Sequence, residues 1–324
     1  FSGLIVEKLG KRLALRGAGA IFLLLAFAYI FIDSLWSLLL VRFLHGFWFS
    51  ILTTVNVPVV NEFIPESRKG EGMGYFVMST NLGVVFGPLL ALTAIQWMSF
   101  NHLFALLTIV TTIGYIFTLT LNVPRKIQEK TKEKQPLTWH DIIEVRVIAI
   151  GMVALLTAFA YSSITSFITA FAQSKNLMQY ASLFFVVFAI SMIVVRPWVG
   201  KFYDQKGPSF VIYPSFIAFA LGLTVVSMVE QAWTLWLSAV LIGIGYGSLF
   251  PCMQTLAIQS VEKQRMGHAI STFFTLFDVG LAVGSVFMGY CIAYLDYSWT
   301  YLLCACMVVA TLGVYRSTVA PKLD

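Results

Sequence analysis

Two ionisable residues stand where charge is expensive. Asp278, in "FFTLFDVGLAVG", lies about ten residues into the apolar stretch 269–294 and so near the middle of any membrane span it forms. Arg42, in "VRFLHG", lies about two turns inside the apolar stretch 35–60. A charge in hydrocarbon costs several kcal/mol, so each is expected to face protein or a water-filled cavity. A carboxylate at that depth can bind and release a proton as its surroundings alternate between wet and dry. The alternatives are a fixed ion pair or hydrogen bond for Asp278 and an outward-snorkelling side chain for Arg42. His45, one turn from Arg42, titrates near neutrality but reads first as a polar packing residue.

"FAYSSITSFITAFAQ", residues 159–173, puts Tyr161, Thr165 and Thr169 at i, i+4 and i+8, a shared face that can line a cavity with hydrogen-bonding groups. Hydroxyls bonded to their own helix backbone would explain the same residues.

Membrane spans must position these groups. Hydrophobic residues make up 59% of the 324 and charged residues 11%, far from the balance of a soluble domain. Ten apolar stretches are long enough to span: 13–33, 35–60, 72–97, 102–122, 146–170, 178–198, 209–229, 233–258, 269–294 and 297–317. The expected fold is an all-α polytopic membrane protein. Lys and Arg fall almost entirely on one side of these stretches; of 21, only Lys175 lies opposite and Arg42 within a span. That side is expected to be cytoplasmic. The net charge of +6 then serves orientation, and no nucleic-acid partner is expected. Trp36, Trp97, Trp233 and Trp299 near span ends read as interface anchors.

The chain repeats itself at a shift of 197 residues. Gly3 meets Gly200, Glu7 meets Asp204, Gly10 meets Gly207, Trp36 meets Trp233, Arg68 meets Arg265, Gly83 meets Gly280 and Gly87 meets Gly284. Asn81 meets Asp278, so that position is polar in both copies. The shift covers an even number of spans, so both copies share one orientation and are parallel-related. The expected domains are a helical bundle at 1–122 with four spans, a cytoplasmic linker at 123–145, a six-span bundle at 146–317 and a cytoplasmic tail at 318–324. The repeat predicts two further spans ahead of Phe1, which would make both bundles six-helical.

"GLIVEKLGKR" and "GKFYDQKG", both Gly–x–x–x–acid–x–x–Gly, read as tight turns in which glycine permits close approach and positive φ. They resemble the two copies of the signature loop of the major facilitator superfamily. "VRFLHG" resembles that family's fourth-helix motif, and "GVVFGP", with Gly83, Gly87 and Pro88, the fifth-helix motif of its proton-coupled exporters. Glu7 and Lys8 depart from the usual Asp and Arg, and Ala91–Leu92 from a common Gly pair. The resemblance implies a secondary transporter working by alternating access, with proton-coupled export of a small molecule ahead of a proton- or solute-driven uptake symporter. It implies a proton-coupling role for Arg42 beside Asp278. For Gly3, Glu7, Gly10, Lys11, Glu62, Gly200, Asp204 and Gly207 it implies gating, with Glu62 reaching the loop that ends at Lys11. Asn81, Tyr161, Thr165 and Thr169 are the cavity candidates.

The expected partners are the lipid bilayer, a small-molecule substrate and protons, for a monomer in the cell membrane. No cofactor, metal or catalytic residue is expected. His45, His102, His140 and His268 lack ligand spacing, the four cysteines lie in spans, and no phosphate-binding Gly-rich lysine loop occurs. A membrane enzyme or receptor is the distant alternative.

Overall fold

The computed structural model describes residues 5–6, 9–65, 97–123, 143–262 and 265–322, with scattered positions between 76 and 95. Gly3, Glu7, Asn81 and Pro88 lie outside the described residues, as does most of the expected linker. Contacts divide the chain into two compact units, Phe1–Lys134 and Gln135–Asp324. Among the described residues eight helices are long and apolar enough to cross a membrane, and the last of them holds two of the expected spans.

In the first unit, α1 (Lys11–Ala28) packs against α2 (Leu35–Phe63) and α3 (Phe100–Thr120). Ala14, Leu15, Val55, Val59 and Val123 form its buried core. Arg16 donates to the carbonyls of Leu119 and Leu121 at 2.9 and 3.3 Å, so a cation satisfies the orphan acceptors at the end of α3.

The second unit contains α4 (Ile148–Ser174), α5 (Met178–Lys206), α6 (Pro208–Ser227), α7 (Ala232–Gln259) and α8 (Met266–Thr318). α8 breaks at Asp296 (φ 72°, ψ 178°), which separates the expected spans 269–294 and 297–317. One apolar core joins all five helices. The most extensive pairings are α8 with α4 and α7 with α6.

The repeat reappears in the helix starts, where local chemistry decides the fold. Ser34 N–H donates to the Ser37 hydroxyl at 3.2 Å ahead of α2, and Gln231 N–H to the Thr234 hydroxyl at 3.4 Å ahead of α7. The Ser99 hydroxyl accepts from His102 N–H at the start of α3, and the Asp296 carboxylate from Trp299 N–H at the equivalent place in α8. Gly10 (φ 75°, ψ 151°) and Gly207 (φ 84°, ψ 166°) turn the chain into α1 and α6 in the same conformation. All three pairs stand 197 residues apart.

The turn is tighter than the sequence suggests. α5 continues through Gly200 and Asp204 to Lys206, and a Cβ on Gly200 would meet nothing within 4 Å. Only Gly207 needs the positive φ that L side chains resist. The eight-residue run in the second copy is therefore the last two turns of a helix followed by a one-residue corner. Pro208, with its fixed φ, then opens α6.

Candidate functional site

Asp278 lies about 18 Å along α8 from Met266 and points away from the packed side of its helix. Phe273, Phe277, Gly280 and Gly284 form the side turned to the unit's interior, whereas Ser271, Thr275 and Asp278 are exposed. Gly280 and Gly284 make that interior contact close. A Cβ on Gly280 would strike the Leu155 carbonyl of α4, and one on Gly284 would lie 2.5 Å from the Ser162 hydroxyl and 2.7 Å from the Phe159 carbonyl. Their repeat partners Gly83 and Gly87, predicted as a packing motif, would meet nothing within 4 Å among the described residues. Asp278 has no ion-pair partner among the described residues.

The predicted face of α4 divides. Tyr161 is 9% exposed and stacks on Tyr246 of α7, ring centroids 3.6 Å apart at 9°. Phe188 and Phe219 extend that cluster. Thr165 is exposed and Thr169 half-buried. Steps of four residues advance about 40° around an α-helix, so eight residues carry the row from the core to the open side. The open row is Thr165, Ser166 and Thr169. Ser166 Oγ lies 3.0 Å from Ser285 Oγ of α8, a contact the sequence reading missed and that only the α4–α8 crossing creates.

In the first unit Arg42 is exposed, its guanidinium carbon 5.8 Å above the Tyr29 ring. The His45 ring lies tilted against Phe22 with centroids 4.0 Å apart, and Tyr29 stacks on Phe104 at 4.7 Å. Phe22, Arg42, His45, Gly46 and Phe49 line a hollow of about 230 Å³. At the equivalent positions the second unit has Ala239 and Ile242, both fully buried. The polar pair at 42 and 45 is thus a property of one copy alone.

Three ion pairs lie at helix ends among the described residues. Lys11, directly after Gly10, pairs with Glu62 at the end of α2. Its counterpart in the second unit is uncharged: Gln259, at the repeat position of Glu62, accepts from the Tyr203 hydroxyl at 3.0 Å. Sequence reasoning missed the other two pairs, Lys175 with Glu230 and Glu144 with Arg265. Glu144 is 5% exposed; its N–H donates to the Thr272 hydroxyl at 2.9 Å, and its carboxylate accepts from Arg265 and from Arg146 N–H.

The Arg265 hydrogen bond holds the Glu144 carboxyl below the usual carboxylate range, against the opposing effect of burial. A carboxyl lowered in the folded state contributes stability above its ordinary range, and loses it as pH falls through the lowered value. Glu144→Gln is therefore expected to lower the unfolding temperature of the detergent-solubilised protein at neutral pH, with the gap to the parent closing in acid. A gap that stays constant down through the carboxylate range would exclude the charge as its cause.

The family model described as Major Facilitator Superfamily matches residues 1–285 and 211–323. Multidrug resistance protein MdtG of Escherichia fergusonii is 21% identical over 322 residues, covering 95% of this chain and 78% of that protein. The uncharacterized MFS-type transporter YhhS of Escherichia coli is 26% identical over 252 residues, covering 78% and 58%. Among solved structures, the nucleoside transporter NupG superposes with a TM-score of 0.78 at 15% identity, covering 98% of this chain and 87% of that one. A POT family transporter in complex with 5-aminolevulinic acid gives 0.71 at 15% identity, covering 100% and 85%. At such identities the structural likeness speaks for the fold alone.

Proposed function

The chain belongs to the major facilitator superfamily, and from that premise we propose that it exports a small molecule in exchange for entering protons. Membership makes it a multi-pass transporter rather than an enzyme. The finer reading rests on one observation above all. Asp278 is an exposed carboxylate deep within a membrane-crossing helix, without an ion-pair partner among the described residues. Such a group is tolerated where it meets water or a mobile ligand, and a transport path offers both in turn.

Arg42 is the second deep charge and belongs to the same scheme. Lys11–Glu62, with the corners at Gly10 and Gly207 and the helix end carrying Gly200 and Asp204, forms the gating machinery of the proposal. Thr165 and Thr169 line the cavity, and Tyr161 supports its wall through the stack on Tyr246. Residues 1–122 and 146–317 act as two bundles joined by a cytoplasmic linker at 123–145, with a cytoplasmic tail at 318–324, in a monomer at the cell membrane. The name of the MdtG relatives, multidrug resistance protein, favours export of drug-like molecules over uptake.

Everted vesicles carrying the full chain test the direction. Imposed inside-acid pH should drive a substrate into them, and inside-alkaline pH should not; the reverse dependence would make the protein a symporter for uptake. Orientation has its own check. A single cysteine placed within 126–134 is expected to react with an impermeant maleimide only from the cytoplasmic side, and one at position 175 only from outside. Reaction of both from one side would overturn the assignment.

A further inference from the structure

Three hydroxyls on the open polar face of the second unit, Thr165, Ser166 and Ser285, are one-sided in their hydrogen-bonding capacity. Ser285 Oγ donates to the Leu281 carbonyl at 2.8 Å, so in its 3.0 Å contact with Ser166 it can only accept. The Ser166 proton is thereby committed to Ser285. Thr165 Oγ1 donates to the Ser162 carbonyl at 3.3 Å. A hydroxyl has one proton and two lone pairs, so all three groups offer only lone pairs to anything arriving from the open side. Asp278, when ionised, likewise only accepts. Seven residues of helix set Asp278 and Ser285 about 10 Å apart along α8. Thr275, one turn before Asp278, is close enough in sequence to turn its own proton toward that carboxylate.

Neither α4 nor α8 carries a positive charge along this face. α4 contains no Lys, Arg or His between Ile148 and Ser174, and α8 none between Ala269 and Leu295. Lone pairs facing lone pairs repel, so an anion or an acceptor-only molecule would leave both partners unsatisfied and desolvated. A group bringing N–H donors and positive charge satisfies them all.

Resting on the reading that Asp278 faces the transport path, we infer that the substrate group docking on this face is a protonated amine. It meets Asp278 through N–H, and a second N–H or O–H donor some way along the molecule meets Ser166 and Thr165. Selectivity then arises from donors rather than from charge alone, because a quaternary ammonium has the charge without the protons.

Three probes separate these possibilities on the full-length protein: tryptamine, its N,N,N-trimethyl analogue and indole-3-acetate. They share one ring system and differ in N–H donors and charge. Binding is read by calorimetry and by protection against thermal unfolding. Tryptamine is expected to bind about tenfold or more tightly than the trimethyl compound, and indole-3-acetate not to compete. Asp278→Asn should remove about tenfold of tryptamine affinity. Ser285→Ala, which releases the Ser166 proton, should weaken tryptamine and the trimethyl compound alike, since both carry the indole N–H that meets this end, and leave the gap between them unchanged; a narrowed gap would overturn the two-point docking.

Absence of tryptamine binding, equal binding of the trimethyl compound, preference for the acetate, or an Asp278→Asn variant that binds tryptamine normally would each overturn the inference. The proton role is judged separately. If Asp278→Asn weakens tryptamine but keeps pH-driven flux, the docking site stands and the coupling role falls; the opposite result leaves coupling and removes the docking site.

Discussion

Asp278→Asn is expected to reduce pH-gradient-driven transport to background while the protein still inserts and folds. The substitution keeps the side chain's size and removes its charge and its capacity to bind and release a proton, with an amide donor in place of one acceptor oxygen. Packing is not at stake, because Asp278 is exposed on α8 while Phe277 and Gly280 supply the buried side. A structural role would show as a lowered unfolding temperature; a coupling role leaves that temperature alone and removes the response to pH. Counterflow, in which labelled substrate exchanges for unlabelled without a gradient, should persist if substrate can still be held. Its persistence beside the loss of gradient-driven flux would locate the defect in proton movement. Arg42→Ala gives the companion measurement: the pH dependence of transport should shift rather than vanish. Gradient-driven flux at parental rates in Asp278→Asn would assign the residue to structure and end the coupling proposal.

The sequence made the scaffold readable because each decisive signal was local or periodic. Apolar stretches located the helices, and the 197-residue shift read from other positions holds again at caps that the sequence reading did not name, Ser34–Ser37 with Gln231–Thr234. The contacts made across helices were not readable in that way. Tyr161 and Tyr246 are both polar-tipped aromatics in apolar runs, and nothing in either run says that they stack. Glu144 stands 121 residues from Arg265; their pairing depends on where α4 begins relative to α8, which the hydropathy pattern leaves open by a turn. Gly200 and Gly207 look alike in the sequence, yet one ends up within a helix and the other at positive φ. Intervening Lys201 to Lys206 are compatible with helix or turn, and a charged stretch at a span end gives no apolar periodicity to decide between them. For the candidate site, the depth of Asp278 and Arg42 was legible as an expense needing an explanation. The direction each side chain faces was not, because a rotation of a few tens of degrees about the helix axis separates a core position from an open one.

Gly280→Ala is expected to be among the most damaging single substitutions in the second unit, although it adds one methyl group. That methyl would strike the Leu155 carbonyl, which belongs to the main chain of α4 and cannot rotate away. Relief requires α4 and α8 to separate, in a pairing that joins the unit's first and last long helices. Forcing atoms into such a contact costs about 1–3 kcal/mol, and more where backbone must move. Gly284→Ala should behave similarly, since its methyl would meet the Phe159 carbonyl as well as the Ser162 hydroxyl. Separation would also part Ser166 from Ser285, so transport should fail together with stability. Two positions in the same two helices serve as controls. A methyl on Gly289 would find only an ordinary contact with Phe167 at 3.6 Å, so Gly289→Ala should fold like the parent. A methyl on Gly151 would collide with the far end of the Leu276 side chain, 2.5 Å away, which can be shortened. Gly151→Ala should therefore be mildly destabilising and recover when combined with Leu276→Val, whereas shortening Leu155 in Gly280→Ala should recover nothing. Rescue of Gly280→Ala by Leu155→Ala would show that the clash lies with a side chain and that the two helices are not in main-chain contact there.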